Sequence, residues 1–128
     1  MREDLPVAGW RTTHLDDIAS EQWPYWAPIR HHFGIQTFGI NAWRGGEGDE
    51  VIKRHNESDS GHPELYLVLS GHALFTIGDE EVPAPTGTLV WIEDPSAERV
   101  AAAMETNTVV LSISGGPPSG WDTGYLES

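Results

Sequence analysis

Apolar and polar residues alternate along much of the chain in short runs, broken at intervals by turn residues. The densest run, Leu65-Tyr66-Leu67-Val68-Leu69, lies between a polar stretch that starts at His55 and the turn pair Ser70-Gly71. An uninterrupted apolar run bounded in this way predicts a strand buried on both faces. Side chains alternate along a strand, so Glu64, Tyr66 and Val68 share one face and Leu65, Leu67 and Leu69 the other. Shorter patterned runs predict strands over 33–43, 50–55, 72–77, 88–92, 99–104 and 108–114. Turns are expected at Arg44-Gly45-Gly46-Glu47-Gly48, Gly78-Asp79-Glu80, Asp94-Pro95-Ser96 and Glu105-Thr106-Asn107. Pro83 and Pro85 make 81–87 an edge or turn segment. Strands recurring every ~8–12 residues point to an all-β sandwich or barrel. Leu65, Leu67, Leu69, Phe75, Val90, Ile92, Val110 and Ile113 are expected in its core.

The ends of the chain depart from this pattern. Residues 1–32 form an arm rich in Trp, Pro and charge, 33–114 the barrel, and 115–128 a tail. A short helix is expected over 13–19, with Thr12 or Thr13 as its cap, and Pro24 and Pro28 limit any helix that follows. Trp10, Trp23, Tyr25 and Trp26 are read as packing the arm over the barrel or a neighbouring subunit. Trp121 and Tyr125 suggest that the tail docks. Six tryptophans in 128 residues exceed what one small core covers, which predicts a homodimer.

Charge narrows the range of partners. Seven basic against twenty acidic residues give a formal net charge of −13. Such a field repels phosphate backbones and anionic membranes, so neither a nucleic acid nor a membrane is an expected partner. The absence of cysteine excludes disulfides, thiolate ligands and a cysteine nucleophile. The first residues lack the apolar stretch of a signal peptide, and no apolar run approaches the ~18 residues of a membrane span. The expectation is a cytoplasmic protein that takes a small-molecule ligand.

Candidate chemistry gathers ahead of the densest run, at His55, Glu57, His62 and Glu64. If the strand begins at or before His62, that imidazole joins the Glu64 face. The competing reading is a solvated strand mouth in a chain where acidic residues are common.

Glu64 and Gly71 fit the E-x6-G half of the first cupin motif, with LYLVLSG at its end, and Gly87 to Glu98 fall on the second. In this respect the region over about 48–114 resembles the cupin superfamily. The resemblance implies a cupin-type double-stranded β-helix (a jelly-roll barrel) with a pocket in its mouth, and often a homodimer. It also implies a three-histidine, one-carboxylate metal site, from which this chain departs. Without a gap, the two histidines of the first motif fall on Ser58 and Ser60. With a longer loop, His55-x-Glu57 takes their place. The second-motif histidine falls on Glu98, and that motif's proline and glycine are replaced by Glu93 and Pro95.

Two chemistries suit the mouth. In a metal-free barrel, His62 and Glu64 form an acid–base pair, with His55 and Tyr66 beside them and Glu57 or Glu98 at the rim. Such a site suits isomerisation, epimerisation, dehydration or cyclisation. In the alternative, His55, His62 and Glu64, with Glu57 or Glu98, hold one divalent metal (Fe, Mn, Zn or Ni). A non-catalytic ligand-binding or sensor barrel is the third reading, because function resides in the site and not in the fold.

Overall fold

The computed structural model describes residues 9–18 and 25–115. After a single 3-10 turn at Leu15–Asp17 come β1 (Trp26–Ala27), α1 (Ile29–Phe33), β2 (Phe38–Gly45), β3 (Glu50–His55), β4 (Glu64–Ser70) and β5 (His72–Ile77). They are followed by β6 (Glu80–Pro85), β7 (Leu89–Ile92), β8 (Arg99–Ala103) and β9 (Thr108–Gly115). The strands form two antiparallel sheets, ordered β1-β2-β9-β4-β7 and β3-β8-β5-β6. This is an all-β jelly-roll sandwich, and no helix among the described residues is long and apolar enough to cross a membrane.

The sheets face each other through one apolar core. Trp26, Trp43, Tyr66, Val68, Val90 and Val110 come from the first sheet, and Val51, Phe75, Ala73, Ala84, Ala101 and Ala103 from the second. The two halves divide the volume unequally. The inner face of the second sheet is lined by alanines, which leaves room for the stacked Trp26–Trp43 pair and for Tyr66 tilted against Phe75. A smaller core lies on the outer face of the first sheet, where Ile18, Leu15 and Ile29 cover Ala27, Ala42, Val109 and Leu111.

The turn between β4 and β5 accounts for the retained glycine. Gly71 has φ +78°, and a Cβ there would lie 2.6 Å from the Thr108 Cα. Thr108 is fully buried and its hydroxyl donates to the Glu105 carbonyl at 2.8 Å, so it has no room to yield. Only glycine meets both demands.

Several expected features differ in the structure. Leu65 and Leu67 are half-buried and Leu69 is 48% exposed, because they occupy the outer face of β4 and only Tyr66 and Val68 point into the core. Ile113 is half-buried for the same reason on β9. Phe75, Val90, Ile92 and Val110 are buried as expected. Among the described residues of the expected helix, 13–18, there is one 3-10 turn, capped by the His14 ring accepting from the Asp16 N–H at 3.0 Å. Pro28 is the N-cap of the short helix α1, where its missing N–H costs no intrahelical hydrogen bond. Of the arm's aromatics, Trp26 and Tyr25 join the barrel core while Trp10 is 65% exposed. Trp23, Trp121, Tyr125 and the expected docking of the tail lie outside the described residues.

Candidate functional site

One end of the sandwich brings three chain segments together. His55 closes β3, Glu64 opens β4 and Arg99 opens β8. His55 pairs with Arg99 across the second sheet, and Glu64 faces them from the first. β3 carries two register shifts against β8, one between Glu50 and Ile52 and one between Ile52 and His55. Irregularities of this kind re-aim side chains at a sheet rim. Here Val51 and Ile52 are both buried, Lys53 and Arg54 both face out, and His55 turns back toward the mouth beside buried Arg99.

Glu64 is the hub of this end. Its Oε1 accepts a hydrogen bond from the Tyr66 hydroxyl and another from Arg99 Nη1 at 3.0 Å. Arg99 has no exposed side-chain surface. It is fixed in turn by donating to the Ala97 carbonyl at 3.0 Å and the Asp94 carbonyl at 3.4 Å. His55 lies with Nε2 at 2.9 Å from Glu57 Oε2 and 3.9 Å from Glu64 Oε1. Its Nδ1 is 2.6 Å from the Lys53 carbonyl, which can only accept, so Nδ1 carries a proton and holds the ring plane. Glu57 receives the Ser60 hydroxyl on its other oxygen at 3.0 Å. One oxygen of Glu64, Oε2, has no hydrogen bond among the described residues.

This arrangement shifts each group. Burial is the largest influence on His55 and opposes its charge. The hydrogen bonds to Glu57 and the Lys53 carbonyl, with the charges of Glu64 and Glu57, outweigh burial and raise the ring above its ordinary 6.5. For Glu57, burial is again largest, yet hydrogen bonds from His55 and Ser60 and the charges of His55 and Arg99 hold it below the ordinary carboxylate value. Glu64 is raised, by burial first and by the Glu57 charge second, against the opposing pull of Tyr66, His55 and Arg99. Burial and the Glu64 carboxylate push Tyr66 well above its ordinary value, so it stays a donor. Two adjacent carboxylates are thus driven in opposite directions, Glu57 down and Glu64 up.

The structure brings His55, Glu57, Glu64 and Tyr66 together and leaves two candidates outside. His62 precedes β4, because Pro63 cannot donate to the ladder and pairing starts only at Glu64. Its backbone N–H donates to Ser60 Oγ at 3.2 Å, and its ring is no part of the cluster. Glu98 points outward to pair with Arg54 at 3.0 Å, both side chains more than half exposed. The next residue, Arg99, takes the inward place, since one step along a strand changes the face. Sequence reasoning missed Arg99. The available signal was a charged residue in alternation with Ala101 and Ala103 on an otherwise apolar strand.

The donor atoms of His55, Glu57 and Glu64 all lie within 4.8 Å of one another, so they fit a divalent cation in number and type. The Lys53 carbonyl bond leaves His55 Nε2 as the ligand nitrogen. Arg99 and Tyr66 already donate to Glu64 Oε1, which leaves Oε2 the freer of its two oxygens.

No family model and no curated protein matches the chain. Solved structures do. A cupin protein from Bacteroides fragilis superposes with a TM-score of 0.60 at 22% identity, over 71% of this chain and 75% of that one. An RmlC-like cupin protein from Desulfovibrio desulfuricans gives 0.54 at 25% identity, over 65% and 76%. A sugar phosphate isomerase from a cupin superfamily, from Silicibacter pomeroyi, gives 0.58 at 17% identity, over 73% of this chain and 59% of that one. Together with two antiparallel sheets closed around one core, these likenesses identify the fold as that of the cupin superfamily.

Proposed function

We propose that the protein is an enzyme that moves a proton on a small oxygen-bearing molecule, an isomerase-type reaction, with Glu64 as the base. The observation that carries this reading is the asymmetric tethering of Glu64. Arg99 and Tyr66 hold Oε1, which lies 3.9 Å from His55 Nε2, and Oε2 is left for the substrate. Glu64 Oε2 takes the proton from a carbon next to a carbonyl. His55 returns a proton from Nε2, and Glu57 stabilises the imidazolium. Burial lifts Glu64 toward the working pH, where a base is most effective. The structural likeness to a protein named as a sugar phosphate isomerase supports the class of chemistry without fixing the substrate. A panel of aldoses, ketoses and uronates in D2O, followed by proton NMR, tests it. At least one compound exchanges its proton next to the carbonyl, and Glu64→Gln slows that exchange by ~10²–10⁴-fold. Exchange that is absent for every compound, or unchanged in the variant, sinks the proposal.

A second reading rests on the ligand geometry of His55, Glu57 and Glu64. A bound divalent cation would polarise a substrate carbonyl there. Metal analysis of untagged protein, followed by Mn2+ titration of wild type and Glu57→Gln, separates the two. Stoichiometric metal that Glu57→Gln abolishes favours the second.

We also propose that two copies associate through the outer face of β4 and β7. Leu65 and Leu67 are half-buried there, and Leu69, Leu89 and Trp91 are 48%, 62% and 57% exposed. Leu65 pairs with Trp91 and Leu67 with Leu89 across the two strands, so the patch is continuous. It carries no charge, whereas a foreign partner of a chain at −13 would be drawn through its acidic groups. A second copy is the occupant we propose.

A further inference from the structure

The inner face of the first sheet is layered by register. Gly39, Ser114 and Glu64 lie in one row, and Asn41, Ser112 and Tyr66 in the next. Trp43, Val110 and Val68 form an apolar row beneath them. The polar side chains thus occupy the two rows at the Glu64 end.

Within those rows one oxygen stands out, the Oδ1 of Asn41. Asn41 is 7% exposed, and its fully buried Oδ1 has no hydrogen-bond partner among the described residues. Its neighbours have partners: Ser112 accepts from the Trp43 indole N–H at 2.8 Å, and the Tyr66 hydroxyl is given to Glu64. Buried amides are almost always paired, so one left open is expected to meet something that enters. At Gly39, in the row above, a Cβ would lie 2.8 Å from the Ser114 hydroxyl and 3.0 Å from Arg30 Nη1, so these two groups fill the place of a side chain there.

We propose that Asn41 is the specificity residue of the substrate site, and that it selects a polyhydroxylated small molecule of the sugar class. This rests on the proton-transfer reading of Glu64 and names its substrate. A carboxamide both donates and accepts, and a hydroxyl is the simple group that answers both. A carboxylate would satisfy only the amide N–H2, and an ammonium only Oδ1. Asn41 and Tyr66 are two strands apart, ~10 Å between backbones. Asn41 lies one row from Glu64 on the same inner face, two strands away.

The test uses D-xylose, D-glucose and D-glucuronate as probes, with cyclohexanol as a ring lacking the hydroxyl array. Saturation-transfer NMR is read on wild type, Asn41→Leu, Asn41→Asp and Glu64→Gln, with thermal melts of each. At least one sugar binds wild type in the millimolar range and cyclohexanol does not. Both Asn41 variants weaken that binding at least tenfold, and Asn41→Leu melts no lower than wild type. Glu64→Gln retains the binding while proton exchange slows by ~10²–10⁴-fold. The inference is overturned if no sugar binds wild type at 20 mM, or if Asn41→Asp binds as tightly as wild type. It is also overturned if Asn41→Leu destabilises the fold with sugar affinity unchanged, the result of an amide satisfied by buried water. Sugar binding that depends on Asn41, in a wild type that exchanges no proton, upholds the recognition and removes only the catalysis.

Discussion

Replacing Arg99 with Met removes the cation that holds Glu64 while keeping most of the side-chain volume. Arg99 is completely buried and the Glu64 side chain is 12% exposed. Removing one partner of a buried pair strands the other charge, at a cost of ~3–5 kcal/mol. The Ala97 and Asp94 carbonyls lose their donor as well. Glu64 has an escape, because it can take up a proton, and its value is already raised. The loss is therefore largest at high pH, ~3 kcal/mol or more at pH 8, and shrinks toward pH 5. At ~3–5 °C per kcal/mol for a chain of this length, the melting point falls by ~10–15 °C at pH 8. Urea unfolding at both pH values, for wild type, Arg99→Met, Glu64→Gln and the double variant, is the assay. The double variant recovers at least half of the single loss, since neither charge is then left unpaired. A loss under ~1 kcal/mol at pH 8, or a double variant as unstable as the sum of the singles, would refute the reasoning.

Other outcomes follow from the same geometry. His55 is raised in the fold, so the stability it contributes is full below its ordinary 6.5 and is lost as pH rises through its folded value. His55→Gln should flatten the stability profile in that window, as read by urea midpoints from pH 6 to 9. Glu57 is lowered, so its contribution is present above its ordinary 4.5 and is lost as pH falls through its folded value, a step that Glu57→Gln removes. Gly71→Ala forces a Cβ to 2.6 Å from the Thr108 backbone at positive φ. It should cost at least ~3 kcal/mol or prevent folding, and a melt within 3 °C of wild type would contradict it. Trp91→Lys with Leu89→Lys should turn a dimer into a monomer in sedimentation velocity with the fold retained by circular dichroism.

Much of the barrel was legible because its strands are short, patterned and bounded by turns. β3 and β5 fall on the expected residues, and Glu64, Tyr66 and Val68 do share the inner face of β4. The apolarity of Leu65, Leu67 and Leu69 was misleading, because a leucine-rich run carries no mark of which sheet faces remain uncovered. His62 was lost to a strand boundary that Pro63 sets, and boundaries are the least determined part of a periodic pattern. Arg99 was hidden for a different reason. A lone arginine at the start of a strand looks like solvated punctuation until the opposite sheet is seen to present Glu64. Asn41 was equally silent, since nothing in the local sequence says that a strand amide oxygen will lack a partner.

The central claim is that Glu64, His55 and Glu57 form one coupled set whose carboxylates are driven in opposite directions. A carbon-13 NMR titration of the glutamate carboxyls and histidine rings, in chelator-treated protein, measures it directly. The account predicts Glu64 above its ordinary 4.5, Glu57 below its ordinary 4.5 and His55 above 6.5, with Glu57→Gln lowering both Glu64 and His55. All three groups titrating at their ordinary values, with none responding to the Glu57 substitution, would contradict it.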